Sequence, residues 1–185
     1  MPTRSEAHDL LCEYTKNGNL RKHAYAVEAA MRLYAEKLGG DPDEWGLVGL
    51  IHDFDYEAWP TIPEHGSKGA EILRARGYPE HVVRAVQAHA TYLGVPAESP
   101  LEKALLACDE LTGFIVAVAL VRPSRSLMDV EVRSVRKKMK EKAFAAAVSR
   151  EDIVAGAELV GLPLDDHIAN VIAAMQGIAG DLGLA

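Results

Sequence analysis

Hydrophobic residues in this chain recur at three- and four-residue steps, the spacing of one face of a helix. Leu20, Ala24, Val27, Met31, Tyr34 and Leu38 form the clearest such seam and predict a helix of about twenty residues. Asn19 is placed to cap it after the break at Asn17-Gly18-Asn19, and Gly39-Gly40 ends it. Upstream, Thr3 and Glu6 have the spacing of a capping box, for a first helix running to about Lys16. Asp41-Pro42 joins an N-cap to a proline at the first helical position and predicts a third helix reaching His52. Residues 54–64, with Pro60 and Pro63, read as loop. Helices are predicted at 66–76 and 79–92, separated by Gly77-Tyr78-Pro79, and from Ser99-Pro100 to about Val121, with Pro123 beyond. Weaker patterns cover 129–142, 150–160 behind Ser149, and 164–182 behind Gly161-Leu162-Pro163. No segment alternates with period two for long, and there is neither a repeat nor a low-complexity linker. The pattern predicts an all-α protein, a single-domain helical bundle over residues 1–185.

Composition narrows the function classes. The length suits one domain with a substantial core. The net charge of −7 argues against a general binder of nucleic-acid polymers. Cys12 and Cys108 both sit in apolar helical contexts, which predicts reduced core thiols in a cytoplasmic protein. The opening MPTRSEAHDL has no apolar signal-peptide core, and the longest apolar run, Phe114 to Val121, is too short to span a bilayer. No membrane association is expected.

One stretch departs from ordinary helix patterning. In GLIHDFDYEAW, residues 49–59, an apolar run meets His52, Asp53, Asp55 and Glu57, with Tyr56 and Trp59 beside them. Other candidate ligands are spread along the chain. His23 shares a face with Val27, Ala30 and Tyr34; His65 begins EHGSKGAEIL; His89 lies near the end of VVRAVQAHA. Asp109 lies inside an apolar helix near Leu105, Thr112 and Val116, where a carboxylate is costly to bury unless a cation meets it. Taken singly, each histidine reads as a core or rim residue and the aspartate as a local hydrogen-bond anchor. Their order on separate helical elements points instead to a metal centre. Imidazole and carboxylate together suit Fe, Mn, Zn or Co.

In that order the chain resembles the HD-domain superfamily of metal-dependent phosphohydrolases. His23, His52-Asp53 and Asp109 match its H…HD…D signature, and His65 and His89 match the two extra histidines of its bimetallic branch. The likeness covers residues 19–121 and leaves 122–185 as a C-terminal helical extension. GLIHDFDYE, ACDELTGFIVAVALVRPS and VRKKMKEKAFAAAVSRED resemble a narrower group of small uncharacterised HD hydrolases. The resemblance implies one or two divalent metal ions, with Fe, Mn, Co, Mg and Zn all open. His23, His52, Asp53 and Asp109 would hold the first, and Asp53 would bridge to a second held by His65 and His89. Asp53 and His52 are then the catalytic pair, in hydrolysis of a nucleotide or other small phosphate ester by metal-activated hydroxide. Many HD proteins continue HD-I-G-K, with a phosphate-binding lysine. Here Phe54-Asp55-Tyr56 follows, so that lysine is missing. Asp55 and Glu57 read equally as partners of ligand histidines or as a solvated acidic loop.

Cations for the phosphate must come from elsewhere. Lys68, one turn beyond His65, and Arg122, at the end of the Asp109 helix, are candidates. So are Lys137 and Lys138, in the one basic run, which otherwise reads as a solvated face. Tyr25, Tyr56 and Trp59 could stack on a base or only close the core. Two alternatives stand beside hydrolysis: a mixed-valence di-iron oxygenase on the same ligands, and a non-catalytic HD binding or signalling module. Oligomeric state is not legible.

Overall fold

Thr3 and Ser99 each close a reciprocal capping box. Their hydroxyls accept from the amides of Glu6 and Glu102, and those carboxylates accept from the amides of Thr3 and Ser99. They open α1 (Arg4–Tyr14) and α6 (Pro100–Leu120) in a computed structural model that describes all 185 residues. Between them lie α2 (Gly18–Leu38), α3 (Pro42–Ile51), α4 (Glu64–Ala75) and α5 (Glu80–His89). After them come α7 (Val132–Met139), α8 (Arg150–Leu159), α9 (Leu164–Gln176) and α10 (Ala179–Leu182). Two short 3₁₀ turns complete the secondary structure, and there is no strand: the protein is all-α. No helix is long and apolar enough to cross a membrane.

α2 and α6 form the centre. α2 packs on α3, α6 and α9, and α6 packs on α5, α8 and α9 as well. The α2 seam is buried from Ala24 to Tyr34, but Leu38 is exposed at the helix end. α3 is buried all round from Trp45 to Ile51, as expected of a helix enclosed on every side. Its Gly49 lets it lie close to α2: a Cβ there would come 3.0 Å from the Cα of Glu28.

The C-terminal helices are tied to this centre by His167 on α9. Its Nε2–H donates to the carbonyl of Ala107 at 2.9 Å, which leaves Nδ1 to accept from the Tyr34 hydroxyl at 2.5 Å. Burial lowers its pKa, in keeping with a neutral ring.

Boundaries differ from the sequence expectation where side chains compete for backbone. Asn17, not Asn19, caps α2, because its side chain accepts from the amide of Asn19 at 2.8 Å. The helix expected over 129–142 is confined to Val132–Met139. Beyond it the carbonyls of Glu141, Phe144, Ala145 and Val148 turn inward to the guanidinium of Arg150. Ala145 takes a positive φ of 43° to do so. The helix expected over 164–182 is split after Gln176, and the second piece ends at Gly183 with φ of 69°.

Candidate metal centre

α3 ends at Ile51, and His52 is its C-cap. The His52 Nδ1–H donates to the Gly49 carbonyl at 2.8 Å, which turns Nε2 away from the helix. The side chain is wholly buried, and Nε2 is the one buried side-chain nitrogen or oxygen in the chain without a hydrogen-bond partner. What faces it are carboxylates. Asp109 Oδ1 on α6 lies 3.4 Å away and Asp53 Oδ2 lies 3.9 Å away. His23, one turn into α2, brings its Nε2 to 2.9 Å from the same Asp109 oxygen. His23, His52 and Asp109 thus form one group whose ligand atoms all lie within 4.8 Å of one another.

Asp53, His65 and His89 form a second such group. Asp53 Oδ1 lies 3.0 Å from Nε2 of His65 and 3.1 Å from Nε2 of His89. Asp53 therefore points one oxygen at each group. The Nδ1–H of His89 donates to the Val86 carbonyl, one turn back on α5, and so presents Nε2 in the same way that His52 does.

His65 is aimed by Asp55. The Asp55 carboxylate is fully buried, accepts from Nδ1 of His65 at 2.9 Å, and accepts with its other oxygen from the amides of Gly66 and Gly69 at 2.8 Å each. Those amides belong to the start of α4, where a carboxylate is favoured by unsatisfied N–H groups. The regular helix begins only after His65 and Gly66, whose backbones are non-helical, so the expected start at 66 is close to the true one. Gly69 has no room for a side chain, since a Cβ would lie 2.8 Å from Asp55 Oδ2. Of the two readings open for the acidic loop, Asp55 is thus the buried partner of a histidine. Glu57 is exposed and accepts from the amides of Lys16 and Asn17 at 2.8 Å each, pinning the loop to the α1–α2 turn.

The donor set fits divalent metal ions. With bonds of about 2.1 Å, adjacent ligands on one ion stand roughly 3.0–3.4 Å apart. Asp109 stands 2.9 and 3.4 Å from the two histidines of its group, and the three spacings in the other group run from 3.0 to 3.3 Å. Two features call specifically for a cation. Nε2 of His52 is buried with no hydrogen-bond partner and faces the carboxylates of Asp109 and Asp53, and Nε2 of His65 stands 3.3 Å from Nε2 of His89. Protons answer that demand when no metal is bound. Burial disfavours a charged His52, but Asp109 and Asp53 outweigh it and lift the pKa to about 9. Burial likewise opposes a charged His65, and Asp53 and Asp55 lift it to about 10. Asp53 and Asp109 move the other way: burial works against their ionised forms, but the facing histidines hold both carboxyls well below the usual range.

Three of the cations expected from sequence have side-chain partners of their own. Lys68 pairs with Glu71 at 2.9 Å, Arg122 donates to Ser134, and Lys138 pairs with Glu141 at 2.7 Å. Lys137 lines a separate basic hollow with Arg133, Arg136 and Lys140. Trp59 packs beside Tyr14, Tyr56 stands edge-on to the His65 ring, and Tyr25 bonds His8. Tyr92, which no sequence motif marks, donates its hydroxyl proton to the His65 carbonyl at 3.0 Å. It lies in the 3₁₀ turn after α5, a turn the helix expected over 79–92 concealed.

A family profile described as HD domain matches residues 20–113. Among curated proteins, Ribonuclease Y of Pseudothermotoga lettingae is 30% identical over 138 residues, covering 72% of this chain and 26% of that protein. The chain spans about a quarter of that relative's length. No solved structure matches it.

Proposed function

The chain belongs to the HD-domain family, and from that premise we propose that it is a metal-dependent phosphohydrolase acting on a small phosphate ester. The observation that carries the reading is Asp53, whose two oxygens face separate His-rich groups. Such a carboxylate can hold two cations at fixed spacing. When bound, divalent ions in this cradle acidify water and neutralise phosphoryl charge.

The protein's own groups do the positioning. Backbone carbonyls fix the rings of His52 and His89, and Asp55 fixes that of His65, so three Nε2 atoms are aimed before any ligand arrives. The side chains of His23, Asp53 and Asp109 stay about a quarter exposed, at 24%, 25% and 24%, whereas His52, His65 and His89 are at 0%, 9% and 4%. Substrate approach is therefore from the His23–Asp53–Asp109 side. The relative's name is that of a ribonuclease, and cleavage of a phosphodiester belongs to the same chemistry. The acidic charge of this chain favours a small ester over a polymer.

The test is a panel of phosphate esters incubated with protein reconstituted separately with Mn, Fe, Co, Mg and Zn. Release of phosphate that is lost in Asp53→Asn supports the reading. A metal-replete wild type that cleaves nothing overturns it, and oxygen uptake by the iron-loaded form would then put oxygenase chemistry in its place.

A further inference from the structure

α6 carries Asp109, Gly113, Val116 and Leu120 at steps of four, three and four residues, so they form a single stripe. The first turns of α2 carry Asn19, Lys22 and His23, also on a shared side. The two stripes border a cavity of about 340 Å³, large enough for a small ligand, which shares His23 with the metal centre. Leu182 and Leu184 wall it further, on a tail held by the bond from the Leu127 amide to the Leu184 carbonyl at 2.7 Å.

Three features say what this groove takes. Its walls are mainly apolar, and Leu120 is left 49% exposed along it. Gly113, one turn beyond Asp109, keeps it open: nothing lies within 4 Å of where a Cβ would stand. The ammonium of Lys22 rests near Gly183, where a Cβ would come within 2.9 Å of Nζ, and has no carboxylate partner, unlike Lys68 and Lys138.

We propose that the groove receives the leaving group of the ester and that this group is a compact apolar alcohol. Gly113 sets the space open to it, and Lys22 draws in the phosphate dianion at the mouth. The inference rests on the phosphohydrolase reading. In that reaction the ester P–O bond breaks, the water oxygen bonds to phosphorus, and the water proton leaves with the alcohol. The products are inorganic phosphate and an apolar alcohol that can pack on Val116 and Leu120.

The experiment is calorimetric titration of the Mn-loaded full chain with methyl-, butyl- and hexylphosphonate, which bind without being hydrolysed. Affinity should rise by about two- to fourfold for each buried methylene. Gly113→Leu should bind methylphosphonate normally and lose the dependence on chain length. Leu120→Asp, at an exposed position, tests the same wall if Gly113→Leu does not fold, and should weaken hexylphosphonate alone. Lys22→Ala should weaken every phosphonate by a similar factor, more so at low salt. Equal binding of methyl- and hexylphosphonate to the wild type overturns the proposal, as does a chain-length dependence that survives both wall substitutions. The matching alkyl phosphates separate the two levels. Hydrolysis with flat phosphonate binding removes the groove and leaves the hydrolase, whereas graded binding without hydrolysis removes the hydrolase and leaves the groove.

Discussion

Nε2 of His65 and Nε2 of His89 stand 3.3 Å apart, and each ring has its Nδ1 already engaged, by Asp55 and by the Val86 carbonyl. Two imidazole lone pairs at that distance repel unless a positive charge lies between or beside them. Asp53 Oδ1, at 3.0 and 3.1 Å from the two nitrogens, completes a three-sided cradle for one.

Nuclearity follows from this cradle. Reconstitution with excess Mn or Fe should give about two metal ions per chain. His65→Ala with His89→Ala should lower that to about one while His23, His52 and Asp109 keep theirs. Elemental analysis after gel filtration reads the number directly. A wild-type content of one that the double substitution does not change would remove the second position.

Asp53→Asn should leave the helical circular-dichroism spectrum unchanged and lower phosphate-ester hydrolysis by more than about 100-fold. Loss of even an outer partner of a ligand costs roughly 10–100-fold, and Asp53 itself faces both groups, 3.0 and 3.1 Å from His65 and His89 and 3.9 Å from His52. Retained activity in a metal-loaded Asp53→Asn protein would deny the residue its bridging role.

Asp55 links the fold to the site. Asp55→Asn should weaken the His65–His89 metal position by about 10–100-fold through loss of the charge that orients His65. Asp55→Ala should also destabilise the protein, because the amides of Gly66 and Gly69 lose their acceptor at about 1–3 kcal/mol each. Gly69→Ala approaches the same result from the other side, by forcing the carboxylate away. Thermal melts and metal titrations of the three variants should rank together, and a stable Gly69→Ala protein with normal metal binding would contradict the arrangement.

The six candidate ligands are legible in the sequence because their identity and order carry the signal, and two of the helices that present them, α3 and α6, are marked by caps at Asp41 and Ser99. Asp55 was not decidable, since its burial depends on α4 folding its first amides back over the loop, a contact between residues eleven and fourteen apart. Arg150 was invisible for a similar reason. Residues 141–148 have good helix formers, yet a guanidinium stacked 4.6 Å from the Phe114 ring centre gathers their carbonyls and holds them in turns. Lys22 does not stand out in the sequence beside the basic run of α7, because charge density along the chain says nothing about which ammonium lacks a partner.

Arg150→Met should therefore lower stability by about 2–3 kcal/mol, the scale of hydrogen bonds to a charged donor. Urea denaturation measures it. Metal content should stay as in the wild type, because no ligand lies on the turns that Arg150 holds. An unchanged midpoint would show that the turns stand without it.

Metal binding should release protons. Without metal, His52 and His65 have pKa values lifted from 6.5 to about 9 and about 10, against the pull of burial, by the carboxylates around them. At pH 7 both rings are then protonated, and an incoming cation must displace those protons to reach Nε2. Apparent affinity should accordingly rise with pH, by about tenfold per unit for each proton displaced, and level off between about 9 and 10. The stability linkage has a matching sign. Folded-state values raised above the unfolded one contribute stability that is full below about 6.5 and is lost as pH climbs through 9 and 10. The metal-free protein should thus melt at lower temperature at pH 10 than at pH 7, and the metal-loaded protein should not share that loss. Titrating metal into weakly buffered protein with a pH indicator counts the protons. Uptake of metal at pH 7 with none released would mean that the rings were neutral beforehand and that the carboxylates alone had shaped the site.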